Sequence, residues 1–207
     1  MNNKSVLNIG AGPGRIKPEI IGTLDRCFLV NLDIYYPDSE STDMKDIGVG
    51  HAEWNHREEY AKIDTWHSNK GWEEFISNYR HYFDVVTIYR YLEHVRMTQV
   101  PYFLYMISTI LEDGGTVEGI VPDYNELAGR ILDEKPLTDK NFESQNILHT
   151  TELLNEPEDP HASIWTADRL QYFFELEGRF NVDTIQENYY FDGRDIYLKF
   201  IMRRNIL

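Results

Sequence analysis

The chain has 207 residues, 35 acidic and 20 basic side chains for a net charge of -15, and one cysteine. At about 150 residues per domain this is one domain, 1–207, which buries on the order of 70% of its unfolded surface and needs no disulfide. The charge excludes a general nucleic-acid binder, no apolar run reaches the ~18 residues of a membrane helix, and a reducing, cytoplasmic setting is expected.

The first apolar run, Ser5–Ile9, follows a short polar start with no signal-peptide pattern and stops at glycines. A helix is expected over Ile16–Leu24, with Pro18 tolerated in its first turn. Cys27–Ile34 is a second strand and Tyr60–Ile63 a weaker third. Gly71–Tyr82 is a helix, with Trp72, Phe75, Ile76 and Tyr79 at helical spacing. Phe83–Tyr89 is a strand. Thr98–Leu111 is a helix that ends at Asp113-Gly114-Gly115, and Gly115–Val121 is the next strand.

Regular alternation breaks at 125–165, read as an inserted segment over the carboxyl edge of the sheet. It holds candidate helices at Tyr124–Leu132 and Asn141–Leu154, then the breaker-rich Asn155–Pro160. Asp168–Gly178 is a helix with Thr166 as N-cap. Phe180–Phe191 and Ile196–Met202 flank a turn too short for anything but antiparallel neighbours. The expectation is a three-layer α/β sandwich, Rossmann-like. Its seven-stranded sheet is mostly parallel, and its last strand is antiparallel.

Val6-Leu7-Asn8-Ile9-Gly10-Ala11-Gly12-Pro13-Gly14 is strand, glycine turn, then helix. Glycines let the backbone approach a ligand, and the helix start offers unpaired N–H groups. Arg15 stands where the dinucleotide fingerprint needs its last glycine, and the P-loop lysine is absent. Asp33 ends the second strand, nineteen residues after Gly14. An acid there can accept both ribose hydroxyl protons of an adenosine ligand.

The spacing Gly10-x-Gly12-x-Gly14 resembles that of class I S-adenosylmethionine (SAM) methyltransferases. Phe83–Val95, ending in Leu92-Glu93-His94-Val95, is similar to the fourth-strand motif of the methyltransferase type 11 group. Leu111–Gly115 and Val121-Pro122-Asp123 resemble that group's fifth-strand turn and strand end. Asn31-Leu32-Asp33 and His161-Ala162-Ser163-Ile164-Trp165 resemble segments of one branch of predicted SAM-dependent methyltransferases. The resemblance covers roughly residues 5–200 and implies SAM as cofactor.

It implies roles as well. Gly10, Ala11, Gly12 and Gly14 face the methionine part, and Asp33 holds the ribose. Asp64 accepts from the adenine amino group or is a solvated loop acid. Tyr89 and Arg90 lie beside the sulfonium, unless Arg90 turns outward. Asn8 stands where the family usually has an acid, so it hydrogen-bonds without bringing charge. His94 is the candidate general base. Glu93 orients it or joins it at a divalent cation, as in some quinone-forming relatives, or the pair only caps and packs. Asp123, Tyr124 and His161 are acceptor-pocket candidates, with Asp123 also a ready N-cap ahead of Glu126. The spacing of His51, Glu53 and His56 suits a solvated loop better than a zinc site, and no metal is assigned.

The acidity is uneven. Residues 33–64 hold nine acids and three bases, and residues 123–159 hold ten acids and three bases. Both stretches follow strands, so negative charge is expected at the mouth of the site, favouring a cationic ligand and repelling polyanions. The expected activity is methyl transfer to oxygen or nitrogen of a small-molecule or glycan-like acceptor. The alternative is a silent methyltransferase-like fold serving as an interaction protein, motivated by Asn8 and the irregular 125–165. A protein partner or an oligomer stays open.

Overall fold

A computed structural model of the protein describes residues 4–10, 27–32, 57–61, 72–132, 161–176, 178–191 and 194–206. The strands are β1 (Lys4–Ile9), β2 (Cys27–Leu32), β3 (Arg57–Ala61), β4 (Phe83–Tyr89), β5 (Leu111–Pro122), β6 (Phe180–Phe191) and β7 (Arg194–Arg204). The helices are α1 (Trp72–Asn78), α2 (Val100–Ile110), α3 (Tyr124–Leu132) and α4 (Ala167–Glu175). The expected helices at Ile16–Leu24 and Asn141–Leu154 lie outside the described residues.

The seven strands form one sheet in the order β3-β2-β1-β4-β5-β7-β6. Pairing is parallel from β3 through β5, and β7 runs antiparallel to both β5 and β6. This is the expected Rossmann-like sandwich with its antiparallel last strand. β3 begins before the predicted Tyr60. β7 reaches Arg194, which pairs with Phe191 of β6.

Strands rich in Val, Ile and Leu bury both faces, as a covered parallel sheet requires. On one face Leu7, Ile9, Val86 and Ile88 pack with Phe75 of α1, Phe103 and Ile107 of α2, and Leu170 and Phe174 of α4. On the other, a smaller cluster joins Tyr89, Ile120 and Tyr197 to Tyr124 and Leu127 of α3. α4 starts where the sequence places it, with the Thr166 side chain accepting from the Arg169 N–H at 3.3 Å.

The helix stop Asp113-Gly114-Gly115 is absorbed into β5 rather than preceding it. Phe83 pairs with Leu111 and Val85 with Thr116, so four residues bulge out of the ladder between them. Gly114 takes φ 75°, a left-handed conformation that favours glycine.

The strand order places the site. The chain leaves β1 toward β2 and β3, then returns to β4 on the other side of β1. Open α/β sheets bind ligands at the carboxyl edge of this switch point. Among the described residues no helix is long and apolar enough to cross a membrane.

Gly119 on β5 faces Phe200 of β7, and a Cβ there would lie 2.1 Å from the Phe200 ring. Phe200 is fully buried and has no room to yield. Gly119→Ala is therefore expected to lower stability by about 1–3 kcal/mol through overpacking, read as a lower urea midpoint at unchanged slope.

Candidate functional site

β1 is followed by Gly10, which takes φ 72° and donates its N–H to the Leu32 carbonyl of β2 at 2.9 Å. A Cβ on Gly10 would lie 2.7 Å from both Cβ and Cδ2 of Tyr91. Gly10 thus answers two demands at once: a left-handed turn and the close approach of the segment that follows β4. Ala11, Gly12, Gly14, Asp33 and Asp64 lie outside the described residues.

Beneath this turn the sheet carries a buried polar row. Asn8 pairs in register with Asn31 of β2 and Thr87 of β4. Its Nδ2 donates to Asn31 Oδ1 at 2.9 Å, and its Oδ1 accepts from Thr87 Oγ1 at 3.0 Å. All three residues are buried. The neutral carboxamide ties three central strands together just before the glycine turn, each polar group meeting a polar partner.

β4 ends in strained backbone. Arg90 has φ 53° and donates its N–H to Ile120 at 2.9 Å, while its side chain is exposed. Tyr89 points away from the edge into the smaller cluster. Its ring meets Phe191 edge-on, with centroids 5.8 Å apart, and its hydroxyl donates to Glu118.

Leu92–His94 form a 3-10 turn directly after β4. Residues 161–165 are fastened onto that turn by main-chain and side-chain hydrogen bonds. The N–H groups of Ala162 and Ser163 both donate to the Glu93 carbonyl, at 2.8 and 2.9 Å. Ser163 Oγ donates to the Leu92 carbonyl at 3.0 Å and accepts from Trp165 Nε1 at 2.8 Å. Tyr124 N–H donates to the Trp165 carbonyl at 3.1 Å, which brings the start of α3 to the same place. The alternation His161-x-Ser163-x-Trp165 now has a physical reading. Ser163 and Trp165 face inward and hold the segment, and His161 stands at its edge.

The result is one cluster from three segments. Ligating atoms of Glu93, His94 and His161 lie within 4.8 Å of one another. The two imidazoles meet edge-on with centroids 4.9 Å apart. Tyr124 Oη lies 3.3 Å from His161 Nδ1. Glu93 and Tyr124 are buried, and the two histidines are half-buried. Burial first, and then the negative charge of Glu93, push the Tyr124 phenol up to about 12.

Asp123 sits beside this cluster but caps a helix. Its Oδ1 accepts from the Asn125 N–H at 2.9 Å at the start of α3. Burial pushes its carboxyl up, against the opposing pull of the Asn125 and Glu126 N–H groups. The inward roles of Ser163 and Trp165, and the Asn31–Asn8–Thr87 row, were not read from the sequence. The available signal was Asn8, Asn31 and Thr87, each a polar residue set within the apolar run of its strand.

No protein-family model matches the sequence, and no curated protein matches it. Solved structures do match. A SAM-dependent methyltransferase from Methanosarcina mazei aligns over 100% of this chain and 95% of its own, with a TM-score of 0.62 and 16% identity. The fold is that of the class I SAM-dependent methyltransferases. The same fold holds 1,6-didemethyltoxoflavin-N1-methyltransferase from Burkholderia thailandensis, solved with 1,6-didemethyltoxoflavin and S-adenosylhomocysteine. That match covers 99% of this chain and 72% of the other, with a TM-score of 0.58 and 14% identity. A SAM-dependent methyltransferase from Archaeoglobus fulgidus aligns over 98% and 87%, with a TM-score of 0.55 and 12% identity.

The Tyr124 shift has a measurable sign. An unfolded tyrosine ionises near pH 10. Between about pH 10 and pH 12 the folded state keeps a proton that the unfolded chain has lost. The stability this contributes is complete below pH 10 and is lost as pH rises through the folded value of about 12. Phenolate absorbance should show a tyrosine titrating near pH 12, absent from Tyr124→Phe.

Proposed function

We propose that the protein is a SAM-dependent methyltransferase that transfers a methyl group to an oxygen or nitrogen of a small-molecule or glycan-like acceptor. One observation carries the reading. In a methyltransferase fold, the glycine turn at Gly10 and the Glu93–His94–His161–Tyr124 cluster converge on the carboxyl edge of the switch point. A scaffold needs no such gathering of titratable groups.

The residues present fit the cofactor. The left-handed turn at Gly10 brings main chain to the end of β1, and the Asn31–Asn8–Thr87 row braces the strands beneath it. Gly12 and Gly14 continue that turn in sequence, and Asp33 follows β2 where a ribose diol would be accepted. Asp64 after β3 is assigned to the adenine side. The neutral Asn8 leaves the acidic stretches 33–64 and 123–159 to supply the field that favours a cationic ligand.

When bound, the cofactor supplies a methyl group already activated by the sulfonium. The protein's share is then alignment, exclusion of water and, for a hydroxyl or protonated amine, removal of a proton. His94 is the candidate base at the edge, and His161 stands beside it as an acceptor-pocket residue. Glu93 is assigned to orient His94. Tyr124, protonated at any physiological pH, positions His161 through its hydroxyl.

Calorimetry with SAM and with S-adenosylhomocysteine tests the reading. Both are expected to bind the wild type. Asp33→Ala is expected to weaken binding more than about tenfold, since it removes charge-assisted hydrogen bonds to the ribose. No binding to the wild type, or equal binding to the variant, would count against the assignment.

A further inference from the structure

We infer that Glu93, His94 and His161 form a binding site for one divalent cation of the zinc class. The donor set is two imidazoles and one carboxylate, each offering one ligand atom, all within 4.8 Å of one another. An ion with bonds of about 2.0–2.2 Å holds neighbouring ligand atoms roughly 3–3.5 Å apart, so side-chain movements of about an ångström close the set. Two nitrogen donors beside one oxygen select zinc, cobalt or iron over magnesium, which prefers oxygen alone.

Placement supports a built site. Glu93 and His94 are adjacent on the 3-10 turn after β4, while His161 comes from far along the chain. It is held there because Ala162, Ser163 and Trp165 are bonded to the carbonyls of Leu92 and Glu93. Glu93 is buried and the two imidazoles are half-buried. Three protein ligands would leave a four-coordinate ion one further position. Tyr124 Oη, 3.3 Å from His161 Nδ1, is the outer partner that fixes the ring and selects its tautomer.

A cation held by these residues would make an acceptor oxygen bound to it more acidic. That last role rests on the methyltransferase reading. The cation site itself does not, and it is tested without any cofactor.

The full chain, stripped with a chelator, is titrated with Zn2+ by calorimetry and with Co2+ by visible absorption, with Mg2+ as comparison. One equivalent of Zn2+ and of Co2+ is expected per chain, each at least about tenfold tighter than Mg2+. His161→Ala and Glu93→Gln should each weaken Co2+ binding by about tenfold or more. His81→Ala, at a histidine outside the cluster, should leave it unchanged. Zn2+ should raise the melting temperature of the wild type and not of His161→Ala. Should Glu93→Gln fail to fold, His94→Ala takes its place in the comparison. Absence of one-equivalent binding, or binding retained when His161 and His94 are each replaced, overturns the site. A chain that binds zinc but not SAM would keep this inference and sink the proposed methyl transfer. The reverse result would do the opposite.

Discussion

Two carbonyl groups organise the candidate site. The carbonyls of Leu92 and Glu93, exposed by the turn after β4, receive the N–H groups of Ala162 and Ser163, the Ser163 hydroxyl and the Trp165 indole. Backbone polar groups buried away from water must be paired. Here the pairing is met by a segment some seventy residues further along the chain. Because Trp165 is fully buried among the side chains of α4, the fastening is also part of the core. His161 therefore reaches Glu93 and His94 through the packing of the domain.

The sheet adds a second constraint at the same place. Gly10 leaves room for Tyr91, the residue that opens the turn carrying Glu93. A side chain at position 10 would collide with Tyr91 and displace that turn. The glycine loop and the Glu93–His94 turn are thus mechanically coupled across the switch point, one on each of two adjacent parallel strands. Asn8, bonded to Asn31 and Thr87, holds three strands in register below them. On the proposed reading, the place of the cofactor and the place of the acceptor are set by neighbouring residues of one sheet edge.

Much of this was legible in the sequence, for physical reasons. The runs at Val6–Ile9 and Phe83–Tyr89 are near-continuous and apolar, which is how strands buried on both faces read. The four residues Asp192–Asp195 between two apolar runs allowed only an antiparallel pair, and β6 and β7 are antiparallel. His94, Glu93, Tyr124 and His161 could be named because Leu92–Val95, Val121–Asp123 and His161–Trp165 resemble segments of the methyltransferases. What stayed hidden were relations across space. Tyr89 sits at the strand end, yet its ring turns into the cluster with Phe191, because a strand alternates its side chains between faces. Asp123 reads equally as a pocket acid or a cap, and only the Asn125 N–H on its carboxylate separates the two. Ser163 and Trp165 carry no chemistry of their own, so nothing in their type announces that they hold a histidine in place.

Amide hydrogen exchange at Ala162 and Ser163 tests that fastening most directly. Both N–H groups donate to the Glu93 carbonyl within 3 Å, in a segment outside any helix or strand. The expected result is protection of both amides by at least about a hundredfold over an unstructured peptide, lost together in Ser163→Ala. Exchange of both at the unstructured rate in the wild type would mean that the segment is not held, and would contradict the gathering of His161 with Glu93 and His94.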